Sequence, residues 1–239
     1  MIPKTIHYIW FGGNPLPEDA SRCIETWKKY CPDYEIIEWN ESNFDVTQND
    51  YIKEAYEAKK WAFVSDYARL KVLVDCGGIY MDTDVEVLKP LDEFLSERAF
   101  SGFEDVDAIP TGIMACEKGF ELFAGLLKDY DTRHFLLPDG SYDITTNVVT
   151  ITDYCLAHGL VLNNQKQTVD GFTLYPKDWF CPKSHLTGKL ECTENTHTIH
   201  HFAGSWHSPW VKLKTKIKKL IGYKLSEKVI AIKHKLENR

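Results

Sequence analysis

Two carboxylates stand one residue apart directly after a short apolar run. Residues 77–84 read Gly-Gly-Ile-Tyr-Met-Asp-Thr-Asp, so a Gly-Gly turn leads into an apolar strand and then into Asp82 and Asp84. On an extended strand, residues i and i+2 point to the same side, and we expect both carboxylates to converge on one ligand. A hard divalent cation is commonly bound by one or two carboxylates together with substrate phosphates. The pair therefore predicts a metal and diphosphate site, although Asp-x-Asp alone also occurs in solvated acidic turns.

A second pair of charged residues precedes this stretch. Residues 61–76 have apolar side chains at helical spacing, and the helix is predicted to end at Gly77. Asp66 and Arg69 are three apart, so they lie on one helix face and by themselves are consistent with a surface ion pair worth about 0.2–0.5 kcal/mol. The order Ser-Asp-x-x-Arg, Gly-Gly, Ile-Tyr-x-Asp-x-Asp is much more specific than either pair.

Residues 62–84 resemble the core of the family 32 glycosyltransferases, a group of yeast mannosyltransferases and bacterial capsular polysaccharide sugar transferases with a DxD motif. The clostridial glucosylating toxins are distantly similar. The resemblance extends to residues 2–12 and to residues 200–206. It implies a GT-A type α/β fold, which has a Rossmann-like, mostly parallel sheet, flanking helices and a DxD strand.

The hydrophobic pattern independently predicts such a sheet. Strands at 5–11 and 34–39 alternate with helices at 18–30 and 61–76 before the strand that ends at Met81. This alternation is typical of parallel sheets with helices packed on them. Further strands are predicted at 85–88, 99–103, 112–116 and 198–202, and further helices at 119–130 and 146–158. We assign residues 1–210 to one catalytic domain.

The resemblance implies roles for five catalytic residues. Asp84 would bind the metal, and Asp82 would contact the ribose and the metal's water shell. Asp66 would bind hydroxyls of the donor sugar, and Trp206 would contact the bond that breaks. Arg69 has a guanidinium suited to a bidentate contact with phosphate.

Three further residues complete the predicted donor site. Trp10 lies at the carboxyl end of the first strand, where ligands bind in open α/β sheets, and the resemblance implies that it contacts the nucleobase; a core tryptophan fits the spacing equally well. Ser205 or water is expected to complete the metal shell. His200 and His201 point to opposite faces of a predicted strand, and the resemblance favours His201 as the third metal ligand, with His200 as the alternative.

The predicted function is transfer of a hexose from a UDP- or GDP-sugar to a glycan or a lipid-linked saccharide in polysaccharide biosynthesis, with Mn or Mg as cofactor. An Asp-x-Asp phosphatase and a non-catalytic sugar-nucleotide-binding module are the alternatives. A phosphatase of that type has its pair on the first strand, whereas this pair arrives after some eighty residues.

Retention of the anomeric configuration is expected, because the acidic residues with assigned roles all serve the metal, the ribose or the donor sugar. Four unassigned acidic residues remain open as a general base: Glu104, Asp105, Asp107 and Asp143. The polar start of a predicted helix at Thr145, Thr146 and Asn147 is suited either to an acceptor sugar or phosphate or to plain N-capping.

Charge divides the chain into two regions. Residues 211–239 contain nine lysines and one arginine against two glutamates, a formal charge of +8, whereas the whole chain carries −7 and residues 1–210 therefore −15. Apolar residues alternate with the lysines as in a basic amphipathic helix, which suits an anionic membrane surface or packing on the acidic body. The acidic body argues against nucleic acid as a partner.

Localisation is expected to be cytoplasmic, with peripheral attachment to the inner face of the membrane. The start of the chain lacks the pattern of a secretory signal, and its seven cysteines include no Cys-x-x-Cys pair, which favours reduced thiols.

Overall fold

The computed structural model describes residues 1–104 and 108–204. Its strands are β1 (Thr5–Ile9), β2 (Glu35–Trp39), β3 (Gly78–Met81), β4 (Val85–Val87), β5 (Ala99–Gly102), β6 (Ile113–Cys116), β7 (Gln167–Val169), β8 (Phe172–Tyr175) and β9 (Thr198–His200). Its helices are α1 (Glu18–Tyr30), α2 (Asp50–Glu57), α3 (Trp61–Cys76), α4 (Glu121–Asp129), α5 (Asn147–Ala157) and α6 (Lys177–Phe180). None of the helices in these two ranges has the length and apolar character needed to cross a bilayer.

Seven strands form one mixed sheet in the order β2-β1-β3-β6-β5-β8-β7, and β4 pairs with β9 in a small second sheet. β1 is parallel to β2 and β3, and β5 is parallel to β8, whereas β6 and β7 are antiparallel to their neighbours. Five of the seven strands therefore run in one direction. The predicted α/β fold with a mostly parallel sheet and flanking helices is confirmed, and β6 is the antiparallel strand inserted at its centre.

Two apolar cores lie on opposite faces of this sheet. Successive residues of β3 alternate between them, because Ile79 and Met81 belong to one core and Tyr80 to the other. Helix α3 packs against α2 and α4 on the Tyr80 face. α1 contacts β4 on the other face. The hydrophobic pattern did not predict helix α2. Asn49 caps its start, where the Asn49 side chain accepts a hydrogen bond from the Tyr51 N–H.

The Gly-Gly turn controls how α3 delivers the chain to β3. Gly77 and Gly78 have φ values of +69° and +103°, which side chains other than glycine rarely adopt. A Cβ on Gly78 would lie 2.7 Å from the carbonyl oxygen of Thr5 and 2.9 Å from Nε2 of His7. The turn therefore lets β3 run close beside β1, and the residues after β3 arrive at the carboxyl end of the parallel half of the sheet.

His7 holds this turn from the neighbouring strand. Its ring is buried, its Nε2–H donates to the Gly77 carbonyl at 2.9 Å, and its Nδ1 accepts from the indole N–H of Trp39 at 3.1 Å. These two bonds require the neutral imidazole, and burial lowers the pKa of His7 from its ordinary value.

Candidate functional site

A cleft of about 890 Å³ opens at the carboxyl ends of β1 and β3. Its lining includes Trp10 after β1, Trp61 and Ser65 on α3, and Thr146 beside α5. The turn between β3 and β4 and the residues after β9 complete the wall. Segments that are distant in sequence therefore meet where open α/β sheets bind ligands.

Asp82 and Asp84 both line this cleft, but a turn brings them together. β3 ends at Met81, and the Val85 N–H donates to the Asp82 carbonyl at 3.0 Å, so Asp84 lies in a tight turn before β4. The prediction that strand alternation aligns the two carboxylates is wrong in this detail. The Asp82 N–H donates to the Gly112 carbonyl at 2.8 Å, and Tyr80 donates its hydroxyl to the Asp82 carboxylate at 2.6 Å.

His200 is the histidine that joins the pair. Its Nε2 lies 3.3 Å from Oδ1 of Asp84 and 3.7 Å from Oδ2 of Asp82. The assignment of His201 as the third ligand is therefore corrected. Nε2 of His201 lies 2.8 Å from the carboxylate of Glu86, because consecutive residues at the end of β9 point to opposite sides.

The three side chains fit a divalent cation. Two carboxylate oxygens and one imidazole nitrogen, from Asp82, Asp84 and His200, lie within 4.8 Å of one another. Mg²⁺ has bonds of about 2.1 Å, so adjacent ligand atoms in its shell lie roughly 3 Å apart, close to the separations seen here. Burial opposes a charge on His200, but hydrogen bonding and charge from Asp84 raise its pKa well above the ordinary value. A bound cation would replace that proton and offset both carboxylates.

The Asp66–Arg69 pair forms the wall beside this cluster and is buried, with each residue 6% exposed. Nη2 of Arg69 lies 3.5 Å from carboxylate oxygens of both Asp66 and Asp82, and Nη1 donates to the Thr111 carbonyl at 2.8 Å. The surface ion pair that the spacing alone allows is therefore not what the structure shows. Arg69 instead places one positive charge between two carboxylates, and its contact with phosphate stays a prediction.

Asn147 was not identified as a partner of Asp66 from the sequence. It is fully buried at the start of α5, where its N–H donates to the Asp66 carboxylate at 3.1 Å and its Nδ2 donates to the Asp66 carbonyl at 2.6 Å. Tyr130 donates its hydroxyl to Oδ1 of Asn147 at 2.7 Å. At this helix N-terminus the Asp66 carboxylate therefore accepts the Asn147 N–H, one of the groups that the sequence left open to an acceptor sugar, a phosphate or plain N-capping. The polar Thr-Thr-Asn sequence at the start of the helix indicated a polar contact there, but it does not show which carboxylate accepts the hydrogen bond.

Of the three remaining predicted site residues, the structure describes Trp10. Trp10 is half-buried on the cleft wall, and its indole N–H donates to the Asn14 carbonyl at 2.6 Å. Ser205 and Trp206 lie outside the described residues.

Four acidic residues were left as candidates for a general base. The two that the structure describes each contact a basic side chain. Glu104 lies 3.1 Å from Nδ1 of His185, and Asp143 pairs with Arg133 at 2.6 Å. Asp105 and Asp107 lie outside the described residues.

Comparison with solved structures defines the class of fold. A glycosyltransferase involved in glycosylation of the major capsid of PBCV-1 superposes with a TM-score of 0.50 at 15% identity, covering 84% of this chain and 94% of that one. This likeness confirms the predicted GT-A type fold.

The sequence relatives lead to the family. Residues 17–101 match the family described as glycosyltransferase sugar-binding region containing DXD motif, which confirms the predicted resemblance. Inositol phosphoceramide mannosyltransferase 1 of Schizosaccharomyces pombe is 29% identical over 110 residues, 41% of this chain and 33% of that protein. An uncharacterized glycosyltransferase of Acanthamoeba polyphaga mimivirus is 24% identical over 229 residues, 89% of this chain and 86% of that protein. The chain spans about a third of the length of the S. pombe relatives. By sequence and by fold it is related to glycosyltransferases.

Proposed function

We propose that this protein is a metal-dependent glycosyltransferase that moves a hexose from a sugar nucleotide to a glycan or a lipid-linked saccharide. The observation that carries the proposal is the cluster of Asp82, Asp84 and His200 beside the buried Asp66–Arg69 pair in one cleft. A cluster that fits a divalent cation, placed at the carboxyl ends of parallel strands, suits a nucleoside diphosphate.

Each group has a task in such a transfer. Asp82, Asp84 and His200 would hold Mn or Mg, whose charge stabilises the diphosphate as the anomeric bond breaks. Arg69 compensates the charges of Asp66 and Asp82, and the Tyr80 hydroxyl fixes the orientation of Asp82. Asp66, oriented by Asn147, presents carboxylate oxygen to the cleft for hydroxyls of the donor sugar. As the family resemblance implies, Trp10 would contact the nucleobase and Trp206 the bond that breaks, and Ser205 or water would complete the metal shell.

The donor and acceptor classes are proposed from chemistry and from the relatives. UDP- and GDP-hexoses are the proposed donors. The name of the S. pombe relative combines a mannosyl donor with a lipid acceptor, which supports a lipid-linked acceptor here. We place the reaction in polysaccharide biosynthesis on the cytoplasmic side of the membrane.

Donor hydrolysis tests this function without knowledge of the acceptor. The protein is incubated with a panel of UDP- and GDP-sugars, with Mn, with Mg or with chelator, and nucleoside diphosphate release is measured. Release that needs the metal and depends on the sugar supports the proposal. Phosphate release from p-nitrophenyl phosphate would indicate a phosphatase instead, and metal-dependent nucleotide binding without release would indicate a binding module.

Retention is the proposed stereochemical course. Among the described acidic residues of the cleft, Asp66, Asp82 and Asp84 all have tasks toward the donor and the metal, and none is assigned as a base for the acceptor. Proton NMR of the first product from a gluco- or galacto-configured donor measures the anomeric coupling constant. An α-linked product from an α-linked donor is expected, and a β-linked product would overturn retention.

Residues 211–239, outside the described part of the chain, are proposed to attach the enzyme to anionic membranes through their +8 charge. Each lysine near such a surface contributes about 1 kcal/mol, screened by salt. Truncation after Trp210 should abolish the salt-sensitive binding to anionic vesicles while donor hydrolysis stays unchanged. Equal binding by both forms would exclude this role.

A further inference from the structure

Exposed apolar side chains are concentrated in one short stretch of the chain beside the cleft, residues 136–149. Residues 135–144 form a short hairpin, here called the rim hairpin, in which Leu136 and Tyr142 form an antiparallel bridge. The exposed apolar side chains of the hairpin and of the adjacent first turn of α5, here called the rim patch, are Leu136, Leu137, Tyr142, Ile144 and Val149. They are five of the ten large apolar side chains that the described residues expose. Single exposed apolar residues are ordinary, whereas a cluster indicates an interaction site.

Sequence adjacency and one contact place the rim patch at the edge of the cleft. Thr146 and Val148, between Ile144 and Val149 in sequence, line the cleft itself. Nζ of Lys60 lies 5.3 Å from the ring centroid of Tyr142, and the next residue, Trp61, lines the cleft.

Backbone hydrogen bonds and one buried side chain hold the rim hairpin in its shape. The exposed apolar side chains are not needed for that. The Leu137 N–H donates to the Ser141 carbonyl at 2.9 Å, and the Asp143 N–H donates to the Phe135 carbonyl at 2.8 Å. Phe135 is fully buried and stacks on Tyr142 with ring centroids 4.9 Å apart. Phe135 therefore anchors the hairpin in the core, while Ile144 remains 73% exposed.

We infer that the rim patch docks on the hydrocarbon boundary of a lipid bilayer. Its aliphatic side chains, one tyrosine and a neighbouring lysine are the residue types that occupy the interface between water and lipid. The side chains project from a hairpin and a helix start, so they suit a surface better than a single bound lipid chain. Since residues 1–210 carry a formal charge of −15, apolar insertion and not attraction to anionic headgroups is the expected force at this face.

Docking itself does not depend on the proposed function, but the role we give to docking, access to a lipid-linked acceptor, rests on that function. A lipid-linked acceptor presents its saccharide at the membrane surface, and docking through the rim patch would bring the mouth of the cleft to that surface. Vesicle binding is measured without donor, metal or acceptor. It can therefore fail while metal-dependent donor hydrolysis succeeds, and donor hydrolysis can fail while vesicle binding succeeds.

The test uses the full chain and vesicles of phosphatidylcholine alone in about 1 M salt. At this salt concentration the Debye length is about 3 Å, so electrostatic attraction through the basic residues 211–239 is suppressed. Ile144→Asp should lower the partition coefficient about tenfold, the factor that corresponds to one aliphatic side chain kept out of lipid. Val161→Asp is the matched control, since Val161 is an exposed aliphatic residue beyond the opposite end of α5, and it should stay within twofold of the unsubstituted chain.

Tryptophan substitutions give a second readout. Fluorescence of Ile144→Trp should be quenched by brominated phosphatidylcholine more strongly than that of the unsubstituted chain, while Val161→Trp should add no quenching. Thermal melting and donor hydrolysis should be unchanged in all four variants, because both positions are exposed. No vesicle binding by the unsubstituted chain, or equal effects at positions 144 and 161, would overturn the inference.

Discussion

The two walls of the cleft are built in different ways. One wall comes from a single stretch, residues 61–84, which contributes Asp66, Arg69, Asp82 and Asp84. The other includes three distant segments, before β6, at the start of α5 and from the end of β9 onward, while Trp10 and the residues after β1 line a further side. Apart from His200 and Asn147, this second wall contributes mainly backbone groups that hold the first: the carbonyls of Thr111 and Gly112 and the N–H of Ala203, which donates to Asp84 at 2.6 Å.

This difference separates chemistry from positioning. The first wall supplies the charged groups, but Asp82 and Asp84 sit in a turn whose orientation depends on contacts with the second wall. Substitutions in the first wall should therefore remove turnover outright. Substitutions in the second should weaken metal binding, either by removing the third ligand, His200, or by displacing groups that remain present.

The largest effect is expected from Asp84→Asn in the first wall. Loss of this charge should lower metal-dependent donor hydrolysis by about 10²–10³-fold, the size of one lost preorganised electrostatic contact. The fold should remain intact, because the asparagine oxygen can still accept the Ala203 N–H. Near-normal turnover with a folded protein would refute the metal site.

The two histidines give a paired test of the second wall. His200→Ala should weaken Mn²⁺ binding, measured by calorimetry or by electron paramagnetic resonance, by about 10–100-fold. His201→Ala removes the contact with Glu86 and should leave Mn²⁺ affinity within a few-fold. A larger loss in His201→Ala would restore the ligand assignment made from the sequence.

Gly112→Ala tests whether backbone positioning alone matters. A Cβ at this position would lie 2.5 Å from Nδ1 of His200, so the ring or the backbone must shift and the position of Nε2 relative to Asp84 should change. We expect a several-fold weaker Mn²⁺ affinity and an unfolding free energy lower by about 1–3 kcal/mol, as for overpacked sites.

Gly125→Ala is the matched control for this substitution. Gly125 lies in α4, and a Cβ there would meet no atom within 4 Å. The unfolding free energy of Gly125→Ala should be equal to that of the unsubstituted chain or higher by about 0.4–1 kcal/mol, and its Mn²⁺ affinity should be unchanged. Indistinguishable Mn²⁺ binding by the two alanine variants would contradict the positioning role of Gly112.

The smallest effect concerns His7, which supports the first wall through the Gly77 turn. Its pKa in the folded state is lowered by burial from the ordinary 6.5, so below that value the unfolded chain binds the proton more readily. Stability should therefore fall as pH drops below about 6.5, by up to about 1.4 kcal/mol per pH unit from this group. Denaturant unfolding of the native chain and of His7→Gln between pH 7.5 and 5.5 measures the difference. The same slope in both would exclude His7 as its source.

Sequence patterns were sufficient for the elements of the first wall. Apolar spacing predicted α3, which spans Trp61–Cys76, and the Gly-Gly pair located its end, because both signals are local properties of the backbone. The alternation of helices and strands also predicted the parallel half of the sheet. Helix α2 was missed, because it has only eight residues and its start depends on one capping side chain.

By itself, the sequence identified the candidate chemical groups of the first wall, through the spacing of Asp66, Arg69, Asp82 and Asp84 and the resemblance to DXD glycosyltransferases. Only the tertiary structure decided how these groups are held. It assigned His200 in place of His201 to the carboxylate pair, because adjacent residues of a strand point to opposite faces and only the pairing of β4 with β9 fixes which face meets Asp84. It also joined Asn147 to Asp66 across 81 residues, a contact that local spacing does not encode.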